Sequence, residues 1–215
     1  MRLSHITIGV PDLAAGITTY TNLGFSLTRH GNRAIAATER EYLALEQMPR
    51  DGIQRITLEG PPPTAAPPNI EVIQKPERHS AARHPNGAVH LERLYVAVEN
   101  LQSAVDAFRS ALGLPEPKME RGTVIMADMA IFNLGAGLTF AQPYAPGPCA
   151  DAIASRGPGP FQLLYRTTSM DAASSWLSAN GIPPPARGTR NTGELALLIP
   201  LAQAHGAFIG LVGMA

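Results

Sequence analysis

The stretch Leu3–Leu13, LSHITIGVPDL, sets His5 in the middle of an apolar run. Leu3, Ile6, Ile8 and Val10 are strand formers, and the VPDL step closes the strand. An ionisable ring in such a strand has two readings. It is a satisfied core or rim histidine, or it is a ligand or general base on a strand facing a cavity. The remaining histidines are His30 in TRHGNR, His79, His84 and His90 in a polar stretch, and His205 before Gly206. His79, His84 and His90 do not sit at ligand spacing on one element, and most of them are expected in solvent. His205 reads as a turn residue. The single cysteine, Cys149, lies in the Pro/Gly-rich run PYAPGPCADA and reads as an incidental loop thiol. No G-x-G-x-x-G, Walker A, H-E-x-x-H or G-x-S-x-G motif occurs.

The totals narrow the classes. With 17 basic and 17 acidic side chains, formal net charge +0, there is no basic field for nucleic acid or an anionic membrane. Aromatic residues at 6% are too sparse for a base-stacking surface. No run approaches the length of a membrane-spanning helix, and the N-terminus lacks a signal-peptide pattern. One cysteine suits a reducing cytoplasm. Near-zero charge on a sparsely charged surface (16% charged residues) favours self-association, so a homodimer is expected.

The elements that must position His5 emerge from self-comparison. LSHITIGVPDLAAGITTYTNLGF aligns with LERLYVAVENLQSAVDAFRSALGL (Leu91–Leu114): strand, capped helix, Leu-Gly stop. Asp12 and Asn100 suit helix N-caps, and Gly24 and Gly113 suit the residue after a helix end. A third copy runs from Phe161 to Ile182, its helix carrying Ala173, Trp176 and Leu177. Each copy is followed by short β-like runs: GFSLTRHG, NRAIAAT and EYLALEQ; GTVIMAD, MAIFNLG and GLTFAQP; GELALLIP and GAFIGLVG. Asp51–Lys75 reads as a fourth copy without its helix and middle strands, because PPPTAAPP cannot be helical. The predicted architecture is α+β, built of paired βαβββ modules with the N-terminal pair shortened. Its predicted division is residues 1–78, a linker at 79–90, and residues 91–215.

HITIGVPDLAAGITTYTNLGF, HPNGAVHLERLYVAVENLQSAVDAFRSALG and PLAQAHGAFIGLV resemble segments of the vicinal oxygen chelate superfamily, the glyoxalase/bleomycin-resistance/dioxygenase fold. The resemblance implies sheets curled into cups that bind small molecules. It also implies, in many members, a divalent ion (Fe, Mn, Ni, Co or Zn) held by first-strand His or Gln and last-strand Glu. Carried onto this chain, those positions are His5 and Glu46 in the first module, the implied metal and catalytic pair. In the shortened unit they are Arg55 and Gln74, which with His30 are the implied substrate contacts. Alternation along EYLALEQ puts Leu43 and Leu45 on one face, and Tyr42, Ala44 and Glu46 on the other. Arg55 is also a ready ion-pair partner for Glu46. In the C-terminal half the positions fall on Arg93, Gln142, Leu163 and Gly210, which make no metal site. Two functions follow from the resemblance. One is a metal-dependent isomerase, lyase or dioxygenase acting on a small oxygen-rich molecule. The other is a non-catalytic binder of a drug or metabolite, with no metal at all.

Overall fold

The computed structural model describes residues 1–63 and 65–214. The chain runs β1 (Arg2–Val10), α1 (Leu13–Asn22), β2 (Thr28–His30), β3 (Arg33–Ala37), β4 (Tyr42–Gln47), β5 (Gly52–Glu59) and β6 (Ile70–Ile73). It continues β7 (Ala88–Ala97), α2 (Leu101–Leu112), β8 (Lys118–Gly122), β9 (Ala127–Asn133), β10 (Gly137–Pro143) and α3 (Pro148–Arg156). The last elements are β11 (Gly159–Thr167), α4 (Met170–Ala179), β12 (Ala186–Thr189), β13 (Leu195–Ile199) and β14 (Phe208–Gly213).

Two sheets result. The first has the order β2-β3-β4-β1-β5-β6 and the second β12-β13-β14-β11-β7-β10-β9-β8. In both, the first strand of one module runs antiparallel beside the first strand of the next, β1 with β5 and β7 with β11. Each first strand is also parallel to its module's last strand, as β1 is to β4 and β11 to β14. The short unit keeps this rule, β5 pairing in parallel with β6. The fold is therefore α+β with paired βαβββ-like modules, and among the described residues no helix joins β5 to β6.

Local chemistry explains the helices. Asp12 caps α1, its carboxylate accepting from the Ala14 and Ala15 N–H groups at 2.8 and 3.2 Å. Asn100 caps α2 through Ser103, and Gly113 ends it at φ +63°. Ser169 caps α4. The smaller sheet turns one face to α1 and the larger one face to α2 and α4, and these faces share one apolar core. Ile6, Ile8, Leu43 and Leu45 join Leu94, Phe140, Leu163 and Ile209 in it. Tyr20 Oη donates to the Ala204 carbonyl at 3.1 Å, and Trp176 Nε1 to that of Asn22 at 3.1 Å, pinning the halves together.

Three expectations are corrected. The run around Cys149 is helical, because Pro148 begins α3 and turns Cys149 and Ala152 into a second apolar cluster on the opposite face of the larger sheet. GTVIMAD is not one strand: Thr123–Met126 form a turn, with Gly122 ending β8 and Ala127 beginning β9. Its apolar residues serve tertiary packing: Ile125 is buried in that second cluster, and Val124 lies against Gly188. None of His79, His84 and His90 is fully exposed: His79 and His90 are half-buried, and His84 is buried, its Nδ1 accepting from the Ser26 N–H at 3.0 Å.

Candidate functional site

The strand registers place the singled-out side chains on the face of the smaller sheet that is turned away from α1. Residues at matching register form rows across it. One row runs Ala37, Tyr42, His5, Thr57, Glu71. The next runs Ile35, Ala44, Thr7, Arg55, and a third runs Arg33, Glu46, Gly9. His30 pairs with Arg33 and extends the face to the sheet edge. His5, Glu46, Arg55 and His30 therefore share one face. Gln74 lies beyond the end of β6 and is exposed.

The rows also separate two of them. His5 registers with Tyr42, whereas Glu46 registers with Gly9, four residues further along. At about 3.3 Å per residue their backbones stand roughly 13 Å apart. His5 stacks flat on Tyr42, ring centroids 4.4 Å apart at 7°, and its Nδ1 lies 3.2 Å from Ser4 Oγ. Glu46 accepts from Arg55 Nη2 at 3.1 Å, and Arg55 Nε lies 3.6 Å from Glu71. The guanidinium thus spans the middle of the face, with the side chains of Thr7 and Ala44 beside it in its own row. Thr7 Oγ1 and Arg55 Nε are both buried without a hydrogen-bond partner.

The electrostatics follow from burial and from the neighbouring cations. Burial first, then Arg55 and Arg33, lowers the His5 pKa to about 4, so the ring is neutral at physiological pH. Burial also raises that of Tyr42.

The residues present do not fit the divalent ion found in many relatives of this fold. His5 and Glu46 are two rows apart, and Glu46 already holds a guanidinium. Among the described residues no group of three or more His, Cys, Asp or Glu side chains could hold a metal. The larger sheet offers no alternative. Gly210 supplies no ligand, and a Cβ there would come within 2.6 Å of Leu164 Cδ1. Its open face is filled by Tyr95, Phe161, Leu164 and Phe208 packed on α3, with a hollow of about 40 Å³ beside Arg93 and Tyr95.

Residues 74–84, without regular structure, run as a strap along the smaller sheet's open face. Beneath the strap is a hollow of about 130 Å³ lined in part by Ser4, Tyr42, Glu77 and His79. Of the larger hollows, one of about 450 Å³ lies between the β4–β5 connection and α3, and those of about 620 and 710 Å³ are seams lying outside both open faces. Of these seams, one runs between the strap and α4, the other between α1 and the 200–206 turn. Period-2 alternation anticipated Tyr42 beside Glu46. Nothing local signalled Glu77, or which of the linker histidines would reach the face; Glu77 and His79 arrive there only because the connection crosses it.

Comparison with known proteins gives the same fold. Residues 2–196 match the family described as Glyoxalase/Bleomycin resistance protein/Dioxygenase superfamily. Among solved structures, methylmalonyl-CoA epimerase from Mycobacterium tuberculosis superposes with a TM-score of 0.54 at 22% identity, covering 60% of this chain and 90% of its own. A Streptomyces coelicolor methylmalonyl-CoA epimerase variant gives 0.50 at 18%, covering 60% and 96%. A variant of 4-hydroxymandelate synthase from Streptomyces coelicolor gives 0.67 at 14%, covering 100% of this chain and 93% of its own. No curated protein sequence matches the chain.

Proposed function

The chain belongs to the glyoxalase/bleomycin resistance protein/dioxygenase superfamily, and from that premise we propose that it binds a small oxygen-rich anion in the cup of its N-terminal sheet without a metal. The observation that carries this reading is Arg55. Its guanidinium lies between Glu46 and Glu71 on the open face, its buried Nε faces Glu71 at 3.6 Å without a hydrogen bond, and the buried Thr7 hydroxyl in the same row has no hydrogen-bond partner. A planar cation of this kind binds carboxylate or phosphate oxygens in a directed way. An organic cation here supplies the positive charge that a divalent ion supplies in metal-dependent relatives.

The remaining roles follow. Glu46 holds Arg55 in place, the His5–Tyr42 stack forms an aromatic wall, and His30 and Gln74 are rim contacts. Residues 1–78 with the following strap are the binding unit and the half from β7 onward the structural partner, in a cytoplasmic homodimer. Binding is favoured over catalysis by the lowered proton affinity of His5. A general base works best with a pKa near the operating pH, and one near 4 is a weak base at neutrality.

The test is metal analysis of the purified protein alongside His5→Ala and Glu46→Ala. The expected outcome is no stoichiometric metal in any of the three, and a chelator that leaves the melting temperature unchanged. Stoichiometric metal that is lost in both variants would replace this reading with the metal-dependent enzyme.

A further inference from the structure

We propose that Arg33 and His79 form a carboxylate subsite of the N-terminal cup, and that Glu77 of the chain itself fills it, so that the cup takes small organic acids against an internal competitor. The inference rests on the cup-binding reading above and adds to it a ligand class and a specificity device.

The strap carries two anchors and one mimic. Arg78 Nη2 donates to Glu59 at 2.7 Å, and the Ala82 N–H donates to the Ala37 carbonyl at 2.9 Å. These contacts hold the strap without help from Glu77. The Glu77 carboxylate accepts from Arg33 Nη2 at 2.6 Å and lies 3.4 Å from His79 Nε2. The His79 ring packs edge-on against Tyr42 at 4.6 Å and 5.6 Å from His30, so this carboxylate sits beside an aromatic wall continuous with His5. His79 Nε2 is buried and makes no proper hydrogen bond, a polar atom that Glu77 approaches without satisfying. The hollow of about 130 Å³ is lined in part by Tyr42, Glu77 and His79.

Glu77 is a weak occupant. Its side chain is 54% exposed and that of Arg33 29% exposed. An ion pair so open to solvent biases an equilibrium by about fivefold at most. Displacement needs only rotation of the Glu77 side chain, since the anchors stay in place. An incoming acid would take the Arg33 fork, reach His79 Nε2 and lay its apolar part along Tyr42.

Benzoate is the probe, with benzamide as its uncharged counterpart. Each is titrated into the full chain and followed by the ring C–H resonances of His5, His30 and His79. The expected result is a saturable benzoate shift at His79, about fivefold tighter in Glu77→Gln and at least tenfold weaker in Arg33→Met. Arg33→Lys, which keeps the charge without the fork, is expected to fall between and guards against a misfolded Met variant. Benzamide should not distinguish wild type from Glu77→Gln. Equal benzoate affinity in wild type and Glu77→Gln, or no benzoate binding in either, overturns the subsite. Arg55→Met separates the two ideas. Binding that is lost there yet indifferent to Glu77→Gln removes the subsite and leaves the cup reading. Binding that responds to Glu77 and Arg33 but not to Arg55 supports the subsite and removes Arg55 from the cup reading.

Discussion

His5 and Glu41 answer burial in opposite ways. The imidazole meets burial and two arginines, all of which disfavour its charged form. Its ring should titrate near pH 4 by proton NMR, and Arg55→Met should move that midpoint up towards 6.5. Because the folded pKa lies below the unfolded one, the associated stability is complete above about pH 6.5. It is lost as pH falls through about 4. Denaturation midpoints across that window check the sign, and His5→Phe should flatten the slope. Glu41 is buried, and burial pushes its pKa up, while hydrogen bonds from the Leu91 N–H and the Thr38 hydroxyl oppose the rise. It joins the β3–β4 turn to β7. Glu41→Ala strands a buried N–H and should cost about 1–3 kcal/mol in urea unfolding.

Among the elements, β1 contributes to both faces of the smaller sheet, and α1 covers the face opposite the cup. β1 supplies core residues at Ile6, Ile8 and Val10 and open-face residues at His5, Thr7 and Gly9, the alternation a strand imposes. Gly9 is required by crowding. A Cβ there would meet the Arg50 carbonyl at 2.3 Å and Gln54 Cγ at 2.9 Å, because the connection from β4 to β5 closes over that end of the cup. Gly9→Ala should destabilise by about 1–3 kcal/mol and weaken ligand binding, read by thermal melts and titration. At the helix, Asp12→Ala removes the acceptor for two N–H groups. It should cost about 1 kcal/mol while leaving the His5 resonance unmoved, since α1 lies on the other face. α3 shows the converse of patterning. Cys149 and Ala152 are buried under the larger sheet, and burial raises the Cys149 thiol to about 12, so this cysteine is inert towards thiolate chemistry.

For the whole molecule, the decisive feature is that both sheets feed one core. Phe25 meets Tyr165 at 5.1 Å, Tyr20 reaches Ala204, and the Leu3 N–H donates to the Leu134 carbonyl at 2.7 Å. Denaturation should therefore proceed as one cooperative transition, with fluorescence of the single Trp176 and far-UV circular dichroism coinciding. Two separated transitions would mean that the halves are energetically independent. The sequence alone determined the module pattern, because strand alternation, helix caps and Leu-Gly stops are local signals repeated along the chain. It also determined which face Tyr42, Ala44 and Glu46 share, since a period of two needs no partner strand. Only the tertiary structure decided the register that sets His5 beside Tyr42 and two rows from Glu46. Only the tertiary structure laid the strap across the cup and turned Ile125 and Cys149 into plugs for the larger sheet. Those outcomes depend on pairing and packing between residues far apart in the chain, where short-range periodicity carries no information about which neighbour arrives.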